Sequence, residues 1–129
     1  MVETILTKDM IEIGKVFVRK LDENKLMPVA ALWFYFTKEE QWKLIIVEYD
    51  VATLGPKEIY RKIQQILVES RDELSGLSLD DVALDKPDAP IISLLRVAIK
   101  TGPEISGIRF KNNVINGTLI QDAYIYRMT

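Results

Sequence analysis

The sequence predicts a single α+β domain spanning residues 1–129, with an antiparallel sheet of four or five strands and three helices in the order α-β-β-α-(β)-α-β-β. Two hairpin signals and three amphipathic stretches predict it. The first hairpin pairs Val29–Phe36 with Trp42–Tyr49 across the short polar loop Thr37–Gln41. Both runs are rich in aromatic and branched residues. The first has no polar residue on either face, and neither has Leu44–Val47. A half-solvated strand would alternate, so this hairpin is expected at the centre of the sheet with both faces covered, by helices or by another copy of the chain. The second signal is Asn116-Gly117, the strongest two-residue hairpin turn.

In chain order, residues 7–23 read as a helix capped by Thr7, with Leu6 and Ile11 placed as a hydrophobic staple. Met10, Gly14, Phe17 and Leu21 share a face. Gly14 there costs about 1 kcal/mol of helix propensity, and the expected return is close approach to a strand. Pro56 starts a second helix running to about Glu73, with Ile59, Ile63, Ile66, Leu67 and Ser70 inward. A short strand is expected near Leu79–Leu84. Ile91–Lys100 reads as a third helix, capped by Asp88 and stopped by Gly102-Pro103. Apolar around most of its circumference, it is expected to be the most buried. A turn at Asn116-Gly117 sets Ile108 opposite Ile125, Phe110 opposite Ala123, Asn112 opposite Gln121, Lys111 opposite Asp122 and Arg109 opposite Tyr124. The last two are favourable as an ion pair and a cation–aromatic pair. This second hairpin is expected nearer the sheet edge.

Composition excludes several chemistries. The chain has no cysteine and no histidine. Disulfides, thiol catalysis and histidine-based nucleophile systems are absent, and so are the usual transition-metal ligands. No cofactor is expected. A net charge of -2 argues against a protein built to hold nucleic acid. No apolar run approaches the roughly 18 residues of a membrane span, and no signal pattern opens the chain, so the expected setting is cytoplasmic without a membrane partner.

Ala31–Tyr35, Gly55-Pro56 with Tyr60 and Ile63, Thr101–Pro103, Gly107–Phe110, Asn113–Gly117 and Asp122–Arg127 carry a resemblance. The chain resembles a family of small uncharacterised bacterial proteins built on a domain of unknown function. The resemblance implies a bacterial cytoplasmic setting and assigns no residue a role.

Four groups of residues are candidates for function. Asp80, Asp81, Asp85 and Asp88 could hold a hard cation but lack calcium-loop spacing; solvated turns and a helix cap explain them better. Glu48 and Asp50 end a buried strand, where carboxylates are costly unless paired. Trp33, Tyr35 and Trp42 suit a core or a self-association surface. The outer face of the second hairpin is the preferred partner-binding surface. Arg109, Lys111, Asn113, Tyr124 and Tyr126 lie on it together with Ile120 and Asp122, and Arg127 is nearby on the opposite pleat. Tyr and Arg are enriched at binding surfaces. The functional expectation is a non-catalytic accessory module acting through a protein partner, in the manner of an antitoxin, an immunity protein or an assembly subunit. A homodimer is also expected. The alternative is a small Mg²⁺-dependent carboxylate enzyme acting on nucleic acid.

Overall fold

A computed structural model describes residues 5–48 and 54–129. Helix α1 (Lys8–Glu23) starts where the Met10 backbone N–H donates to the Thr7 hydroxyl at 3.1 Å, as expected of that cap. Strands β1 (Ala30–Phe36) and β2 (Gln41–Val47) form the first hairpin, in register from Ala30↔Val47 to Phe36↔Gln41. Helix α2 (Pro56–Glu69) carries Pro56 in its first turn and buries Ile59, Ile63, Ile66 and Leu67. It stops short of Glu73. The chain breaks at Ser70, and one further turn, α3 (Arg71–Leu74), redirects it so that Leu74 enters the core.

The acidic stretch folds into a 3₁₀ turn (Leu79–Asp81) and strand β3 (Val82–Asp85). Helix α4 spans Pro90–Ala98, and β4 (Ile108–Ile115) and β5 (Thr118–Met128) complete the chain. The sheet order is β3-β2-β1-β5-β4, so the first hairpin is interior and β4 is an edge, as the sequence predicts. The sheet is antiparallel except at its other edge, where β3 runs parallel to β2. That pairing follows from the α2 crossover, since parallel strands need a long connection.

The sheet is covered on both faces. Ala31, Trp33 and Tyr35 of β1 and Trp42, Leu44 and Ile46 of β2 pack under α1 and α2. Ala30, Leu32, Phe34, Ile45 and Val47 pack on the other side, under α4. Trp33, Tyr35 and Trp42 are therefore core residues within one chain, which corrects their reading as a self-association surface. The helices do the covering, one of the two alternatives that the sequence left open.

Two further expectations are corrected. α4 is not the most buried helix: it buries Ile92 and Leu95, while Val97 is 67 % exposed. It lies as a single layer on the sheet, so its outer side meets solvent however apolar its sequence. Asp88 does not cap it; the cap residue is Ala89, with no side-chain hydrogen bond. Pro90 at the first position needs no acceptor, which reduces the demand for a cap.

Gly14 behaves as expected. A Cβ built there would lie 2.6 Å from Trp33 Nε1 and closer still to the Tyr126 hydroxyl. Trp33 Nε1 donates to the Met10 carbonyl at 3.0 Å, and the Tyr126 hydroxyl donates to the Ile11 carbonyl at 2.6 Å. Only a residue without a side chain lets two strand side chains reach helix carbonyls one turn back.

Candidate functional site: the open-edge hairpin

The β4–β5 ladder has the register that the Asn116-Gly117 turn predicts, from Ile108↔Ile125, Arg109↔Tyr124, Phe110↔Ala123 and Lys111↔Asp122 through to Ile115↔Thr118. Asn116 and Gly117 take positive φ, 48° and 80°, as such a turn requires. The predicted Asn112–Gln121 pair is absent from the ladder, and Asn112 sits at φ 52°. This local twist exchanges the faces of the strands. Asn113 pairs with Ile120, and Ile120 is buried in the α4-side cluster. Asn113 and Ile120 therefore do not share a face with Arg109, as the alternation alone suggested.

The polar pairing also differs. Arg109 holds Asp122 through two bonds, Nε to Oδ1 and Nη2 to Oδ2, each 2.6 Å. A guanidinium fork matches a carboxylate better than the lysine directly opposite does. These bonds raise the Arg109 pKa above its ordinary value. Lys111 is left exposed, with no ion pair among the described residues. Tyr124 does not stack on the guanidinium; its ring lies 5.3 Å from that of Tyr126, edge to face.

Tyr126 and Arg127 are corrected outright. Tyr126 is 1 % exposed and Arg127 5 %. Pairing between β1 and β5 shifts between Ala31↔Arg127 and Leu32↔Ile125, which makes Tyr126 the extra residue of a β-bulge. The bulge turns both consecutive side chains toward α1. Arg127 forks onto Asp22 of α1 at 3.0 and 2.7 Å and donates to the Pro28 carbonyl at 3.0 Å. These residues fasten a helix to the sheet and are not available to a partner.

Accessible on the hairpin are Arg109, Lys111 and Asn113, and an exposed cross-strand pair near the turn, Val114 and Leu119, 65 % and 61 % exposed, while Asp122, which Arg109 holds, is buried. Sequence reasoning passed over that pair, although the predicted register already set the two residues opposite each other.

The carboxylate candidates do not converge. Asp81 is consumed in a capping box with Ser78, accepting from its backbone N–H at 2.9 Å. Asp85 accepts from the Lys86 backbone N–H at 3.0 Å. Asp80 and Asp81 precede strand β3, Asp85 is its last residue and Asp88 follows it. Glu48 is buried at the end of β2, and Asp50 lies outside the described residues. Among the described residues no cluster of three or more His, Cys, Asp or Glu could hold a metal ion, and no helix is long and apolar enough to cross a membrane. Two shallow grooves of about 210 and 280 Å³ flank α2. No family model matches the chain, and no similar curated protein or solved structure was found.

Proposed function

We propose that this chain is a non-catalytic binding or accessory module that acts on a protein partner through the β4–β5 hairpin. The observation that carries the reading is the hairpin's position and surface. It stands at the sheet edge and presents an unpaired lysine, a forked Arg109–Asp122 pair and an exposed Val114–Leu119 pair on one projection. Apolar contact beside satisfied charge is the make-up of a small protein interface. The resemblance to small bacterial proteins supports a bacterial cytoplasmic setting, in which an antitoxin, an immunity protein or a subunit of an assembly acts in this way. A homodimer through Trp33, Tyr35 and Trp42 is not part of this reading, because α1 and α2 cover those rings.

The test is affinity purification from the source cells with quantification of stoichiometric co-purifying protein. Val114→Ser and Leu119→Ser should keep the thermal midpoint, since exposed substitutions fall within about 0.5 kcal/mol. Both should lose the partner. Full retention of a stoichiometric partner by both variants refutes this face as the contact.

A further inference from the structure

We propose that the free edge of β4 accepts an acidic, extended segment of the partner as an additional strand. The inference rests on the binding-module reading and names the recognition mode at that same hairpin.

The two edges of the sheet are not equivalent. β3 offers four residues, and the Leu84 backbone N–H is already donated to the Tyr60 hydroxyl at 3.2 Å. β4 offers eight residues, and no strand lies outside it among the described residues. An open edge is a template for another chain. The charge on β4 decides what can pair there. The strand carries Arg109 and Lys111 and no carboxylate; the nearest preceding acid, Glu104, lies before it in the chain. Asp122, opposite Lys111, has both oxygens held by Arg109. Arg109 is thereby neutralised and Lys111 is, among the described residues, the unpaired charge of the strand; a second copy in the register that opposes Lys111 to Lys111 would set like charges against each other, which is destabilising across strands. The same lysine attracts a carboxylate on an incoming strand, so one feature disfavours that pairing of copies and favours an acidic partner.

Asn112 sets the length of the regular contact. Its left-handed conformation ends the regular ladder after Lys111. The incoming acids would lie along Ile108–Lys111, and an apolar residue beyond them would reach Val114. Main-chain bonds give affinity in this mode, and alternate side chains give specificity.

The experiment is selection of random octapeptides on the intact chain, followed by binding measurements with the synthesised winners. The winners should be enriched in Asp and Glu and should shift amide resonances of residues 108–115. N-methylation of their alternate backbone amides should weaken binding about tenfold or more, as should Lys111→Glu in the protein. Neutral or basic winners, indifference to N-methylation, resonance shifts elsewhere, or no peptide binding below about 1 mM would each overturn the proposal. So would a dimer in sedimentation that is broken by Lys111→Glu. If no peptide binds while Val114→Ser still loses the full-length partner, strand addition falls and the binding-module reading stands.

Discussion

On one face of the sheet α1 is tied down by directional bonds; on the other, α4 rests mainly on apolar contact. Three strand residues reach α1: Trp33 bonds the Met10 carbonyl, Tyr126 the Ile11 carbonyl, and Arg127 the Asp22 carboxylate. The polar bonds of α4 are at its rim, from Arg96 to the carbonyls of Thr129 and Pro87, each 3.1 Å. Beneath it Ile92 and Leu95 belong to one buried cluster with Ala30, Leu32, Ile45 and Ile125. Apolar burial is non-directional and tolerates small shifts. A buried hydrogen bond is costly to leave unmade, and it specifies one position. The contrast also explains why the most aromatic part of the chain is structural. Its polar tips are used to orient α1.

The largest expected effect comes from breaking the ionic anchor. The Arg127 side chain is 6 % exposed and its partner Asp22 is 26 % exposed. Asp22→Ala leaves a buried guanidinium with only the Pro28 carbonyl. Removing one member of a buried pair costs about 3 to 5 kcal/mol, and the partial exposure of Asp22 sets the expectation near 3 kcal/mol in urea unfolding. A loss below about 1 kcal/mol would mean that the pair behaves as a surface salt bridge, and the contrast between the faces would lose its strongest member.

Gly14→Ala is next. In an open helix the change would gain about 1 kcal/mol. Here the new methyl meets Trp33 Nε1 and the Tyr126 hydroxyl. Overpacking should outweigh propensity, for a net loss of about 2 kcal/mol. Adding Tyr126→Phe removes the nearest clashing atom, so the double variant should lose less than the two single losses combined. Strict additivity, or a stabilising Gly14→Ala, would show that α1 can move off the sheet freely. A third, smaller contrast is local opening. Interior amides of α4 should exchange at least about tenfold faster than those of α1 in native-state hydrogen exchange, a difference of about 1.4 kcal/mol. Equal protection would mean that packing alone holds a helix as firmly as the polar anchors do.

Much of this fold was legible because its signals are local. The Thr7 cap, the Asn116-Gly117 register and the two-sided apolar hairpin each depend on a few neighbouring residues. The Gly14 signal was legible too, as an apolar-face glycine that needs a reason. The parallel pairing of β3 was not, because direction is set by a crossover rather than by the strand's own four residues. Nor was the bulge at Tyr126, which exists only in the pairing of β5 with β1. That one insertion moved Arg127 onto the α1 side, and the burial of Tyr126 there turned an expected contact residue into a core hydroxyl. The Asn112 twist removed Asn113 from the expected binding face by the same kind of two-strand effect. Of the residues chosen from sequence, Arg109, Lys111 and Asn113 are exposed, Tyr124 is half-buried, and Tyr126 and Arg127 are buried.

Tyr126→Phe carries the smallest effect and the most specific one. The hydroxyl donates to the Ile11 carbonyl at 2.6 Å, and its loss should cost about 1 kcal/mol at neutral pH, the net worth of an ordinary hydrogen bond. Burial pushes the phenol above its ordinary value of 10.0, partly offset by the neighbouring indole N–H of Trp33. Above pH 10 the unfolded chain therefore loses this proton while the folded chain keeps it. Stability contributed by the protonated phenol then falls as pH rises, by about 1.4 kcal/mol per unit. The phenylalanine variant lacks that term. The native chain's advantage should shrink above about pH 10 and reverse within roughly one further unit. Urea unfolding of both proteins at matched pH between about 8 and 11.5 reads the difference directly, because all other titrations cancel. A difference that stays constant across that range would mean that the phenol titrates alike folded and unfolded, and the α1 anchor would then have to be open to water.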